Sequence, residues 1–285
     1  MKLVTCEYEG KIYVGRISDC GEWVNVQPFD TMIDMIKGNT KETLATMPYT
    51  EEWLELKDVK LLAPILKPIH DVICLGVNYA DHAAESNRAV VGQEKQLTTD
   101  NATYFSKRVV KACGPDDVID GNLEVDDHLD YEVELAVIIG KEGKDIKAED
   151  AYDYIAGYTI LNDVSARQMQ TTHNQWYIGK SADTHTPMGP WIVTEDEFSR
   201  PIEVEVESRV NGEVRQHSNT KMLIHSIPEI IAEISSVTTL EPGDIISTGT
   251  PAGVAMGMNP PVWLKSGDVV ELEIQGIGVL KNTIR

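Results

Sequence analysis

In DYEVEL, residues 130–135, three acids share six positions with Tyr131, Val133 and Leu135, immediately before the apolar run AVIIG. In an extended strand, residues two apart point the same way, so Glu132 and Glu134 share one face while Val133 and Leu135 take the other. Two carboxylates about 4 Å apart, at an effective dielectric near 20, repel by roughly 4 kcal/mol. Solvent, a shared proton or a cation must offset that repulsion. A hard divalent cation such as Mg²⁺ or Mn²⁺ needs further oxygen donors. Asp163, at the end of the apolar stretch GYTIL, supplies one. Acids facing solvent on an edge strand would give the same spacing, so the residues alone leave both readings open.

A second pair lies in YADHAAE, where His82 and Glu85 are three apart and share a face on a helical turn. A carboxylate beside an imidazole orients the ring and raises its basicity, which suits general-base work. A surface His–Glu pair explains the spacing equally. Lys180, in QWYIGKSAD, and Arg167 with Gln170, in SARQMQ, could hold an anion or stabilise an oxyanion near a metal. STGTPAGV, residues 247–254, is a glycine-containing turn that offers backbone N–H groups and the Thr250 hydroxyl to a carboxylate. It has no Walker lysine and no G-x-G-x-x-G pattern, which excludes a nucleotide loop. His173 and His185 flank Lys180, and chance surface positions account for them as well. Cys74 lies in an apolar strand without an adjacent base and reads as core. No G-x-S-x-G is present, which counts against a serine hydrolase.

These residues must be placed by a strand-rich fold. Residues 1–65 read as short strands (KLVTCEYEGKIYVGRIS, EWVNVQPF) with one helical stretch, MIDMIKG. That is a small β-rich domain without a chemical constellation. APILKPIH, with two prolines, reads as a linker into the strand DVICLGVNY. YADHAAE is a short helix, and the polar stretch 86–103 is a candidate lid over substrate. From YFSK onward strands dominate, with a hairpin signal at Asn211–Gly212. SIPEIIAEISSVTTL is an amphipathic helix carrying Ile227, Ile230, Ile231 and Ile234 on one stripe. The fold class is α+β, with antiparallel or mixed sheet, and the larger domain spans 66–285.

The bulk numbers bound the function. A formal net charge of −21 over 285 residues argues against nucleic acid and anionic membranes as partners. It also requires a locally positive site if the substrate is an anion. A hydrophobic content of 42% is that of a globular chain, and apolar runs such as LAVII are too short to span a bilayer. Glu7 and Glu9 interrupt the N-terminal region, which does not read as a signal peptide. Four scattered cysteines without a CxxC pair fit a reduced, cytoplasmic compartment.

Taken in order, GVNYADHAAE, YFSK, LDYEVELAVIIGK, GYTILNDVSARQMQ, QWYIGKSADTHTPMGP and LEPGDIISTGTPAGV resemble the fumarylacetoacetate hydrolase superfamily. The likeness runs from about residue 70 to the C-terminus. It implies a mixed β-roll, typically a homodimer, behind a small N-terminal domain. It implies Mg²⁺ or Mn²⁺ held by Glu132, Glu134 and Asp163, and catalysis by His82, Glu85 and Lys180. Substrate contacts would come from Tyr79, Arg167, Gln170, Gly249 and Thr250. Gln168, where an acid often follows the arginine, and Ala182 with His185, in place of frequent aromatics, depart from the common pattern and bear on substrate identity.

The substrate implied is a small anionic 2-oxo or 2-hydroxydienoic acid. The first expectation is C–C hydrolysis of an acylpyruvate such as fumarylpyruvate, with His82 and Glu85 activating water. The second is decarboxylation or tautomerisation of oxaloacetate-like acids, or dienoate isomerisation, on the same residues. A silent 2-oxo-acid-binding protein is the non-enzymatic reading.

Overall fold

The computed structural model of the protein describes residues 1–89 and 100–285, and side chains outside 86–89. Residues 90–99, the middle of the candidate lid, lie outside the described residues. The chain opens with β1 (Lys2–Tyr8), β2 (Lys11–Ile17), β3 (Trp23–Val26), helices α1 (Met32–Lys37) and α2 (Lys41–Ala45), then β4 (Trp53–Glu55) and β5 (Lys60–Leu61). Next come β6 (Val72–Gly76), α3 (Ala80–Ala89), β7 (Thr103–Lys107), β8 (Val118–Ile119), β9 (Leu129–Asp130), β10 (Val133–Ile139) and β11 (Ile155–Asn162). After β12 (Ser165–Ala166) follow α4 (Arg167–Thr172), α5 (Tyr177–Lys180), β13 (Met188–Thr194), β14 (Glu205–Val210) and β15 (Glu213–Asn219). Helix α6 (Ile227–Val237) precedes β16 (Ile245–Ser247), β17 (Val269–Ile274) and β18 (Gly278–Ile284).

The strands form an α+β, mixed-sheet architecture. One sheet has the order β4-β3-β2-β1-β13-β11-β10-β16-β6-β7, with β5 paired to β1. A second has the order β15-β14-β17-β18-β8. Most neighbours are antiparallel; β16–β6 and β18–β8 are parallel. The hairpin expected at Asn211–Gly212 is a two-residue loop between the paired Val210 and Glu213.

Strand β10 shows how the layers are built. All seven of its residues are buried, so both faces are covered. Leu135, Val137 and Ile139 pack with Val206, Leu272 and Ile274 of the second sheet and with the isoleucine stripe of α6. Ala136 and Ile138 pack instead with Met32, Met35 and Ile36 of α1 and Leu44 of α2. Burying each such large aliphatic side chain contributes about 1.5–3 kcal/mol. Helix α6 starts on a capping box in which Ser226 and Glu229 satisfy each other's backbone donors.

Residues 1–65 thus share both a sheet and a core with the remainder. Strand β1 pairs with β13 through Lys2–Val193 and Leu3–Ile192. Helix α2, which the sequence pattern did not show, begins on its own capping box at Thr40 and Thr43. No helix among the described residues is long and apolar enough to cross a membrane.

Candidate active site

The acids of DYEVEL are brought to Asp163 by strand register. Strands β10 and β11 pair with Val133 opposite Asn162 and Glu134 opposite Leu161. Glu132 sits one residue before β10, where its backbone N–H donates to the Asn162 side chain (3.1 Å) and its carbonyl accepts from Asp163 N–H (3.1 Å). The antiparallel pairing therefore continues for one more step and sets Asp163 beside Glu132. Glu132, Glu134 and Asp163 are all buried, and each offers a carboxylate oxygen within 4.8 Å of the others.

Cations surround two of the three acids. Lys180, at the end of α5, donates to Glu132 Oε2 and Asp163 Oδ2, both at 2.7 Å. Arg167, at the start of α4, donates to Glu132 (2.6 Å), Asp130 (2.9 Å) and Gln170 (2.9 Å). Lys107, fully buried at the end of β7, donates to the Val164 carbonyl (2.9 Å) and lies 2.7 Å from Asp163 Oδ1. That contact is an ion pair, so both Asp163 carboxylate oxygens face a lysine. Phe105, two residues before Lys107 on the same strand face, lies with its ring centroid 5.2 Å from the Lys180 ammonium.

Electrostatics divides the triad. Burial opposes ionisation of Glu132, but Lys180 and Arg167 outweigh it and hold its carboxyl below the usual range. Burial likewise opposes the charge on Lys180, and Asp163 with Glu132 reverses that, holding the ammonium above its ordinary range. Among the described residues no cation forms an ion pair with Glu134. Its Oε2 accepts from Ser247 Oγ (2.5 Å) and Gly249 N–H (3.0 Å). Burial, then the charges of Asp163 and Glu132, push its carboxyl well above the usual range.

With Asp130, four carboxylates face the three cations Lys107, Lys180 and Arg167. Among the described residues Glu134 is the one of the four without an ion pair. Three buried hard oxygen donors within 4.8 Å of one another, one of them unpaired, fit a hard divalent cation.

The His82–Glu85 pair forms as its spacing predicts. His82 Nδ1 is 3.1 Å from Glu85 Oε2, and both residues are buried. Gly253 N–H holds the Glu85 carboxylate from the other side, at 3.0 and 3.2 Å. Gly257 packs directly on that carboxylate, since a Cβ there would fall 2.0 Å from Glu85 Cδ. One loop serves both groups, since Gly249 N–H donates to Glu134 and Gly253 N–H to Glu85.

Other sequence candidates lie deeper in the fold. Tyr79 is fully buried, and its hydroxyl has no hydrogen-bond partner among the described residues. The Thr250 hydroxyl donates to Val133 O (3.0 Å) and accepts from Gln216 (2.7 Å). The Gly249 N–H is taken by Glu134. Three residues of the centre carried no role in the sequence: Lys107, Asp130 and Ser247. Lys107 stands inside the quoted YFSK and Asp130 inside DYEVEL, yet what marks them is burial, which a linear pattern does not show. A second group of possible ligands, the two acids Asp126 and Asp127 with His128, is a turn in which Asp126 accepts from His128 N–H (2.9 Å) and Met169 N–H (2.8 Å).

The model for the fumarylacetoacetate (FAA) hydrolase C-terminal domain matches residues 71–285. The chain belongs to the fumarylacetoacetate hydrolase family. It is an enzyme of that superfamily, and its sequence is 42% identical over 282 residues to oxaloacetate tautomerase YisK of Bacillus subtilis (strain 168). The match covers 99% of this chain and 86% of that relative. Among solved structures, the fumarylacetoacetate hydrolase EaFAH from psychrophilic Exiguobacterium antarcticum superposes with a TM-score of 0.86 at 41% identity, covering 100% of this chain and 99% of that one. The 5-carboxymethyl-2-hydroxymuconate delta-isomerase from Mycobacterium smegmatis does so with a TM-score of 0.79 at 35% identity, with 100% and 99% coverage. Family membership fits the acidic centre, since the described triad offers the all-oxygen ligand set that a metal-dependent member needs.

Proposed function

We propose that the protein is a divalent-metal-dependent tautomerase of oxaloacetate-like 2-oxo acids, with Glu132, Glu134 and Asp163 as metal ligands. The observation that carries this over acylpyruvate hydrolysis is the identity with an oxaloacetate tautomerase along nearly the whole chain. The chemistry agrees, because tautomerisation needs a base and a stabilised enolate but no attacking water.

A bound Mg²⁺ or Mn²⁺ would supply Lewis-acid stabilisation of charge developing on the 2-oxo oxygen. The protein's own groups do the rest. The Lys180 charge is matched by Glu132 and Asp163, so a bound dication would be what makes this centre attractive to an anionic substrate in a strongly acidic protein. Glu85, anchored by Gly253 N–H, accepts the His82 Nδ1 proton and leaves Nε2 as the basic nitrogen. In the keto-to-enol direction His82 takes a proton from C3 and delivers it to the oxygen on C2, and the reverse direction moves the proton from that oxygen to C3. Arg167 holds Glu132 from behind and is spent on Asp130, Glu132 and Gln170.

The same enolate serves decarboxylation and dienoate isomerisation, and the likeness to a delta-isomerase supports that second reading. A homodimer, a small anionic substrate and a cytoplasmic location complete the proposal. Ultraviolet absorbance of enol oxaloacetate, a 2-hydroxydienoate and fumarylpyruvate, each with Mg²⁺ and then excess chelator, tests the reading. Chelator-sensitive loss of the oxaloacetate enol without release of CO₂ is expected. Turnover of fumarylpyruvate alone would return the assignment to hydrolysis.

A further inference from the structure

We propose that Asn78 is a positioning residue that sets the His82–Glu85 helix against the loop holding Glu134. This rests on the dyad-and-triad reading above and adds to it the part that fixes one half against the other. Asn78 is fully buried, directly ahead of α3. Its carboxamide is used at both ends. Nδ2 donates to Thr248 O (2.9 Å) and His225 O (3.1 Å), and Oδ1 accepts from His225 N–H (2.8 Å). Its backbone carbonyl accepts from Ile224 N–H (2.8 Å). Few single substitutions could reproduce that set, since one short side chain must be both donor and acceptor.

The bond to Thr248 O reaches the site directly. Thr248 lies between Ser247 and Gly249, the two donors to Glu134. On the other side, the first turn of α3 follows Asn78, with Ala83 N–H donating to Tyr79 O (2.9 Å). The Asn78 carboxamide therefore ties the start of the helix that carries the base to the loop that holds Glu134, beside the second tie from Gly253 N–H to Glu85.

Two backbone features show that the fold is shaped around this contact. Gly249 has φ +95° and lies so close that a Cβ would fall 2.8 Å from Asn78 Cβ. Val77 has φ +60°, a left-handed conformation that a β-branched residue adopts only when its surroundings impose it. The turn from β6 into α3 is thus held in a strained shape at the position that aims Asn78. Strain of this kind clusters at functional sites.

The test uses the full chain with Mg²⁺. Asn78→Asp keeps the size of the side chain and replaces the amide donor with an oxygen that repels Thr248 O and His225 O. Calorimetric titration with Mg²⁺ counts competent sites, kcat is expressed per site, and the His82 imidazole signal is followed by NMR, assigned with His82→Gln. The expected result is a kcat per site lower by about 100-fold, since misplacement by about 1 Å costs that much. KM and Mg²⁺ affinity should change less than threefold, by the same argument that positioning acts on the reacting geometry, and the His82 signal should move. Unchanged kcat per site, or an unmoved His82 signal, would overturn the proposal. Should the aspartate variant not fold, Asn78→Ser, which leaves space for water beneath the two carbonyls, is read the same way. If the wild-type protein turns over no 2-oxo acid, the functional reading falls, while the His82 signal still decides the role of Asn78.

Discussion

The two halves of the site are held in opposite ways. The acid triad grows from strands: register sets Glu132 beside Asp163, a neighbouring strand supplies Ser247 to Glu134, and three buried cations grip the carboxylates. The dyad stands on a short helix, with Glu85 anchored by Gly253 N–H and pressed against Gly257. A charged centre needs dense compensation, because an uncompensated buried charge costs several kcal/mol. A proton-transfer pair needs an orienting contact and freedom to meet substrate. The rigid half is suited to metal and charge, and the helical half to chemistry.

Removing the base should have the largest effect on rate and the smallest on folding. His82→Gln or Glu85→Gln should lower kcat by about 100- to 10,000-fold, with thermal midpoint and Mg²⁺ binding close to wild type. A large loss of stability instead would mean that the dyad is as structural as the triad. Lys180→Met attacks the other half. It leaves Glu132 and Asp163 facing each other in the interior and should destabilise the metal-free protein by about 3–5 kcal/mol, measured by urea unfolding. Mg²⁺ should recover part of that loss, since a ligand at 100 times its Kd adds about 2.7 kcal/mol. No recovery would separate the acids from metal binding.

The third prediction concerns His185, whose environment is set by burial and by Lys107. Burial and, behind it, the charge of Lys107 push the His185 imidazole down to about 4 from 6.5. In the unfolded chain His185 takes up a proton below about 6.5, while the native ring stays neutral down to about 4. Stability is therefore lost as pH falls through that window and levels off beneath it, by on the order of 3 kcal/mol. His185→Phe should flatten this acid limb in unfolding curves across the window. A limb of unchanged slope would place the titration on other groups.

The smallest effect sharpens the helical half. Gly257→Ala puts a methyl into the Glu85 carboxylate and should lower kcat by roughly tenfold, through displaced orientation of His82. Stability measured by urea unfolding should change by about 1–3 kcal/mol, the usual cost of overpacking.

Much of this was legible in the chain. Glu132, Glu134 and Asp163 carried the acid signal through residue type and two apolar strand patterns, while the β10–β11 register that unites them is a feature of the fold. Helical spacing put His82 and Glu85 on one face, but only the family resemblance singled the pair out from an ordinary surface contact. What stayed hidden is what linear pattern does not encode. Lys107 reads as an ordinary strand-ending lysine until it is seen at 0% exposure against Asp163. Asn78 looks like a turn residue until its carboxamide is seen joining His225 and Thr248, about 150 and 170 positions downstream. The proline-containing segment before residue 66 reads as a boundary, yet β1 pairs across it with β13 and α1 packs on the same core as Ala136. Neither long-range pairing leaves a local signature.

The central claim is that the buried triad holds a divalent cation at which the 2-oxo acid is received. Calorimetric titration of oxalate, an unreactive anion of matching chelating geometry, into wild-type protein and Asp163→Asn, each with and without Mg²⁺, tests it most directly. The account predicts oxalate binding only by wild-type protein and only with Mg²⁺ present. Equal binding in the absence of Mg²⁺, or by the Asp163→Asn variant, would contradict it.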